Sequence, residues 1–193
     1  MSAEKFYNLF SFLYPIIDIF LKAQKRELFK NINGLREGKI LEIGVGNGSH
    51  LSLYDKHEIT AIDTSSKMLE IAGREKSKNV KLLEMSGEEL LFANESFDYV
   101  ILSHVISVVP DLDKMMNEVE RVLKKGGKVF ILNHFTPNNI LKYADYGFSP
   151  FSKFFHFKSL FFVEEIESLQ QFTLQEEKSL GYFSYYKLLT YEK

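Results

Sequence analysis

From residue 39 onward the chain alternates two patterns of apolar and polar positions. Short, nearly all-apolar runs fall at Lys39–Gly44, Glu58–Asp63, Val80–Glu84, Tyr99–Leu102 and Lys128–Asn133. Runs of that length without polar alternation read as strands covered on both faces. Between them, apolar side chains return every three or four residues. In Asp111–Lys124 this puts Leu112, Met115, Met116, Val119, Val122 and Leu123 on one face of a helix, which Gly126 and Gly127 are expected to stop. Thr64, Ser65 and Ser66 offer hydroxyl caps for another helix reaching Arg74, and Asn47–Tyr54 opens a further helix or turn. Strands alternating with helices build a parallel sheet with helices on both faces, and ligands of such sheets bind at the carboxyl ends of the strands. That rim collects residues 44–48, Asp63, residues 86–88, residues 103–105 and His134. Phe172–Leu180 and Tyr182–Tyr191, separated by Gly181, can pair as an edge hairpin.

Residues 4–32 carry the helical period in Phe6, Leu9, Phe10, Leu13, Ile17, Phe20, Leu21 and Leu28, with Lys22, Lys25, Arg26 and Lys30 between them. Pro15 is expected to begin a helix, because a proline deep inside one removes a hydrogen bond and clashes with the preceding turn. The longest apolar run, Leu9 to Ile17, is too short to span a bilayer. The segment also lacks the basic start and small-residue site of a cleavable signal. Two arrangements stay open: a helical lid over the ligand cleft, and an interfacial helix whose cations meet anionic headgroups.

At 193 residues, without repeats or spacers, one domain is expected. Its parts are residues 1–34 as lid or interfacial segment, 35–136 as ligand-binding core, 137–171 as an aromatic-rich cap and 172–193 as the hairpin. The balance of 24 basic against 26 acidic residues argues against a nucleic-acid binder. The absence of cysteine removes disulfides and thiolate metal sites, and no metal is expected. It fits a reducing, cytoplasmic setting, with the inner membrane face as the site if residues 4–32 are interfacial. Eighteen Phe and ten Tyr are more aromatic surface than a small core needs.

The chemistry centres on Gly44, Gly46 and Gly48, which break the first strand where backbone must approach a ligand. A pyrophosphate turn is Gly-x-Gly-x-x-Gly. Here the third glycine comes one residue early and Glu42 stands two before the first. A carboxylate there repels a pyrophosphate but attracts a cationic centre, directly or through water. The ammonium and sulfonium of S-adenosylmethionine suit it better than NAD does. Asp63, 21 positions after Glu42, ends the second strand.

This run resembles the first motif of the class I S-adenosylmethionine-dependent methyltransferases, Glu/Asp-x-Gly-x-Gly-x-Gly. The resemblance implies an α/β, Rossmann-like fold: a seven-stranded, mostly parallel sheet with a C-terminal antiparallel hairpin and N-terminal helices. It also implies that Gly44, Gly46 and Gly48 make room for the methionine and ribose portions of the cofactor. Asp63 would accept from the ribose hydroxyls, unless it only caps the next helix. Thr64 and Met68 would line the adenine, with Met68 equally suited to the core. The family's next motif reads Asp-Ala-Glu, then Leu-Pro-Phe; here Ser86-Gly87-Glu88 precedes Leu90-Leu91-Phe92. The Ser86 hydroxyl, the Gly87 amide or, ranked last, Glu88 would stand in for the aspartate.

Ser103-His104-Val105, Val108-Val109-Pro110-Asp111 and Asn133-His134-Phe135 are similar to the bacterial phosphatidylethanolamine N-methyltransferases of soluble type, over residues 38–136. Ser103 and His104 then belong to the cofactor wall. His134 and His104 are candidate proton acceptors, since both follow strand ends and imidazole titrates in the useful range. That family carries tyrosines near its N-terminus, and Tyr14 is the tyrosine at hand for the methyl donor. An ethanolamine ammonium, like lysine with a pKa of about 10.4, must lose a proton before it can attack. Tyr143 and Tyr146 offer faces for the methylated cation. Residues 138–158 interleave aromatics with Lys153, His156 and Lys158, as a surface for acyl chains and phosphate would, or else as plain core. The expected partner is an amphipathic acceptor, phospholipid first. A quinone-like or other small apolar acceptor and a non-catalytic cofactor binder are the alternatives.

Overall fold

The computed structural model describes residues 14–75, 79–136, 163, 166–180 and 186–193; in residues 14–23 and at residue 75 it describes the backbone alone. In chain order the elements are α1 (Tyr14–Gly34), β1 (Lys39–Ile43), a 3-10 turn (Leu51–Leu53), β2 (Glu58–Asp63), α2 (Ser66–Glu75), β3 (Val80–Glu84), β4 (Phe97–Ser103), α3 (Leu112–Val122), β5 (Leu123–His134), a second 3-10 turn (Glu167–Gln171), β6 (Thr173–Leu180) and β7 (Tyr186–Glu192). The seven strands form one sheet in the order β3-β2-β1-β4-β5-β7-β6. β1 to β5 run parallel, and β7 is antiparallel to both β5 and β6.

Alternation along each strand splits the core into two layers. Leu41, Val100, Leu102, Val129 and Ile131 pack with Met115, Met116, Val119 and Val122 of α3. Ile40, Ile101, Phe130, Leu132 and Leu188 pack with Leu28, Phe29 and Ile32 of α1. By the same period of two, Glu42, Ser103, His134 and Tyr186 belong to the α1 face.

A short connection, residues 35–38, joins α1 to β1. The 21 residues of α1 span about 31 Å at 1.5 Å per residue, roughly twice the length of the five-residue β1. Pro15 sits in the first turn of α1, where no helical hydrogen bond is lost with its N–H.

Two expectations change. Gly126 and Gly127 do not stop α3, which ends at Val122; Leu123 is already extended and bridges to Phe97. The glycines lie inside β5, where Gly126 takes φ +72° and a Cβ on Gly127 would meet the Lys124 and Asp98 carbonyls at 2.8 and 2.9 Å. Gly126 N–H then donates to Lys193 O at 2.9 Å, closing the end of the chain onto the sheet. After the glycine turn, regular structure shrinks to Leu51–Leu53, closed by backbone bonds from Leu51 N to Gly48 O at 2.9 Å and from Leu53 N to His50 O at 2.8 Å.

Candidate functional site

The three glycines share a left-handed backbone, φ +76°, +58° and +68°, but have different neighbours. A Cβ on Gly44 would lie 2.7 Å from Val105 Cγ2, and one on Gly48 would lie 2.6 Å from Ala72 Cβ and 2.8 Å from Leu51 Cδ1. A Cβ on Gly46 would meet nothing within 4 Å among the described residues. The room made at Gly44 and Gly48 is thus filled by protein, and Gly46 is the glycine that fronts open space. We expect Gly48→Ala to lower stability by about 2 kcal/mol, from strain and overpacking together, read as a fall in the urea midpoint.

Asp63 closes over this turn from the tip of β2. Its Oδ2 accepts from Gly46 N at 2.8 Å and its Oδ1 from Ser65 N at 2.9 Å. The helix cap itself is Ser65, whose Oγ accepts from Met68 N at 3.2 Å, so Asp63 is not needed as the cap. Burial raises the Asp63 carboxyl above its ordinary value against the pull of these amides. The Thr64 amide also bonds this carboxylate, so three backbone N–H groups meet it and acceptor capacity for a further donor remains. Thr64 is exposed beside it, and Met68 is buried, which favours its core reading.

Glu42 is sealed inside the protein rather than open to a ligand. It is 1% exposed; Oε1 meets His50 Nε2 at 2.5 Å and Oε2 accepts from the Tyr54 hydroxyl at 2.8 Å. Burial alone would raise its carboxyl, but attraction to His50 and the bonds from His50 and Tyr54 outweigh it, and the net shift is downward. Tyr54, buried beside that charge, is pushed well above its ordinary value and remains a neutral donor. Phe29 of α1 covers both partners, 5.4 Å from the His50 ring and edge-on to Tyr54 at 4.8 Å.

At the tip of β3, Ser86 Oγ accepts from Glu88 N at 3.2 Å. Glu88 plays a structural part, because its Oε1 accepts from Asp111 N at 2.6 Å and ties this loop to the start of α3. Gly87 is packed, since a Cβ there would lie 2.7 Å from Ile43 Cγ2. Of the three stand-ins, the Ser86 hydroxyl oxygen keeps a second acceptor lone pair beside the Glu88 amide, and the packing of Gly87 leaves it only a backbone contribution.

The other half of the rim gathers at β4, β5 and β7. His104 takes φ +58°, uncommon outside glycine, and its N–H donates to Leu132 O at 2.7 Å. Its ring meets Tyr186 edge to face at 5.8 Å, and Tyr186 is the register partner of His134. Burial raises the Tyr186 phenol above its ordinary value. Ser103 Oγ is buried and finds no hydrogen-bond partner among the described residues. Asn133, fully buried, donates from Nδ2 to His134 O at 2.8 Å. Tyr14 is the first residue of α1; its side chain, Tyr143, Tyr146 and the aromatic stretch 138–158 lie outside the described residues.

Three residues of this rim carry no motif in the sequence. His50 and Tyr54 are signalled only by the need of a buried Glu42 for donors. Tyr186 reaches the rim because an antiparallel strand brings its amino end to the carboxyl end of its neighbour. Among the described residues no group of three side chains could hold a metal ion, and no helix is long and apolar enough to cross a membrane.

Residues 41–131 match the family model described as a methyltransferase domain. Over 121 residues the chain is 39% identical to a phosphatidylethanolamine N-methyltransferase of Cereibacter sphaeroides, covering 59% of each chain. Over 125 residues it is 37% identical to a demethylmenaquinone methyltransferase of Staphylococcus aureus, covering 60% of this chain and 51% of that one. It therefore spans little more than half the length of these relatives. Among solved structures it superposes on a protein of Thermotoga maritima described as an S-adenosylmethionine-dependent methyltransferase, possibly for histamine. The TM-score is 0.71 at 22% identity, over 97% of this chain and 99% of that one, which is a likeness of fold.

Proposed function

We propose, from the premise that this chain carries a methyltransferase domain of the class I fold, that it transfers methyl groups from S-adenosylmethionine to the amine of an amphipathic acceptor. The acceptor we favour is phosphatidylethanolamine together with its partly methylated products. The observation that carries the reading is the meeting on one rim of an open glycine turn, an acceptor carboxylate and a histidine pair. Gly46 fronts open space, Asp63 keeps acceptor capacity beyond its three backbone amides, and Ser103 Oγ is buried without a partner among the described residues, so these residues fit an adenosyl ligand.

When bound, the cofactor supplies a methyl carbon already activated by its sulfonium. The protein's part is positional: it holds the acceptor nitrogen in line with the bond to be broken and keeps water out. Asp63 anchors the sugar and Gly46 admits the chain beside it. His134, on the α1 face and paired to Tyr186, takes the ammonium proton, and His104 walls the cofactor side while its ring is steadied by Tyr186. The amino-terminal half of α1, which begins at Tyr14, is the segment we assign as the lid over this site.

Incubating the purified protein with S-adenosylmethionine and mixed vesicles, then weighing the extracted lipids, tests this directly. Masses raised by one and two methyl groups on ethanolamine lipids are expected. Methylation of an added hydroquinone, with unchanged lipids, would favour the second reading, a quinol acceptor, which the demethylmenaquinone relative supports. We further propose that α1 meets the membrane surface. Arg26 and Lys30 lie on it between its apolar positions, whereas Lys25 attracts the Glu42 charge and is a poorer probe. Reversing Arg26 and Lys30 to Glu should cut flotation with anionic vesicles at least tenfold, since each cation near such a surface contributes about 1 kcal/mol. Unchanged flotation would retire the interfacial role and leave the lid.

A further inference from the structure

We propose that Glu42, His50 and Tyr54 form a clasp across the base of the glycine turn, with His50 and Tyr54 as positioning residues that act on the cofactor through the backbone they hold. The inference rests on the methyl-transfer reading for its ligand, but its geometry is independent of it. Glu42 stands two residues before Gly44, His50 two after Gly48 and Tyr54 six after. The bonds of 2.5 and 2.8 Å to one buried carboxylate therefore tie the strand entering the turn to the segment leaving it.

Asp63 holds the turn's middle from the other side through Gly46 N. The turn is fixed at both ends and at its centre before any ligand arrives. This matters because the segment has little regular structure of its own. Beyond the turn only Leu51–Leu53 is helical, Gly48 N reaches Val45 O at a long 3.3 Å, and three positive φ values must be held in place. A carboxylate that accepts from an imidazole and a phenol makes charge-assisted bonds, about twice as strong as neutral ones. Phe29 seals the clasp beneath α1, so the covering helix and the turn share one buried cluster.

This gives the motif glutamate a different role from attracting the cofactor's ammonium, and the two roles separate by experiment. The probes are S-adenosylmethionine, S-adenosylhomocysteine and 5′-methylthioadenosine; the last has no amino-acid end. Tyr54→Phe keeps the ring against Phe29 and removes one bond of the clasp. By calorimetry all three ligands should weaken by a common factor of about tenfold. In the ligand-free protein, amide exchange at Gly48 and Leu51 should speed up in the same variant. Adding His50→Ala should cost less than the product of the single effects, because both act through Glu42. Weakening confined to the two ligands with an amino-acid end would overturn the clasp in favour of direct charge recognition. Unchanged exchange at Gly48 and Leu51, or strictly multiplicative losses, would overturn it as well. If the unaltered protein bound none of the three ligands, the methyl-transfer reading would fall, and the exchange measurement would still decide the clasp.

Discussion

Asp63→Ala is expected to weaken S-adenosylmethionine binding about a hundredfold while the fold survives. The carboxylate acts twice at one place. It fixes Gly46 N at 2.8 Å, and in the proposed complex it also receives the ribose hydroxyls. A hydrogen bond to a charged group contributes about 1.5–3 kcal/mol, so losing the sugar contacts and loosening the turn amounts to roughly 3 kcal/mol. Asp63→Asn keeps one acceptor oxygen and should lose about tenfold. Calorimetry checks both, and binding within threefold of the unaltered protein would reduce Asp63 to a support for the turn.

The same residue sets a pH dependence whose sign can be worked out. Burial raises the Asp63 carboxyl in the ligand-free fold, so ionising it costs stability as pH rises from the ordinary aspartate value of about 3.9 through the raised one. Ribose hydroxyls donate to the ionised form and lower the carboxyl again on binding. Cofactor affinity should therefore fall on acidification, starting at a higher pH than an ordinary aspartate would produce. Asp63→Asn should flatten that limb. Glu42 runs the other way: its lowered carboxyl stabilises the fold above the ordinary glutamate value, and that stability is lost as pH falls through the lowered one.

The second large effect is kinetic. His134→Ala is expected to lower kcat by about 10²- to 10³-fold, within the roughly 10²- to 10⁴-fold contribution of a positioned general base, with cofactor affinity changed less than threefold. The expectation follows from its place at the end of β5, opposite Tyr186 and on the face that α1 covers. His104→Ala should behave differently. It removes a ring from the cofactor wall and from its contact with Tyr186, so affinity and turnover should both decline. Equal losses of affinity and turnover at His134 would make it a wall residue too.

Much of this site is legible before folding because the chemistry is local there. A strand breaking into three glycines must turn sharply, and Asp63 must end its strand, whatever lies around them. β2 and β3 keep their expected bounds, Glu58–Asp63 and Val80–Glu84, although only β2 is buried along its length, at Ile59, Ala61 and Ile62, while β3 is an edge strand buried at Val80 alone. The end of α3 is hidden for the opposite reason. Leu123 continues the helical period, but a bridge to Phe97 and the crowding at Gly127 pull the chain into β5. Glu88 shows the same limit: its carboxylate serves the Asp111 amide, 23 residues away, and no local pattern announces that.

What the sequence determined by itself is the order of strands and helices, the glycine turn and the two carboxylates that flank it, since these follow from period and steric demand within a few residues. What only the tertiary structure decided is the use each group is put to. The motif alone points Glu42 at a ligand, yet its oxygens are taken up by His50 and Tyr54, because a charge buried beneath α1 must find donors inside the protein. Gly44 and Gly48 make way for Val105 and Ala72, and Tyr186 joins the histidines because β7 runs against its neighbour. Such assignments depend on which distant segments meet, and that is set by the packing of the whole sheet.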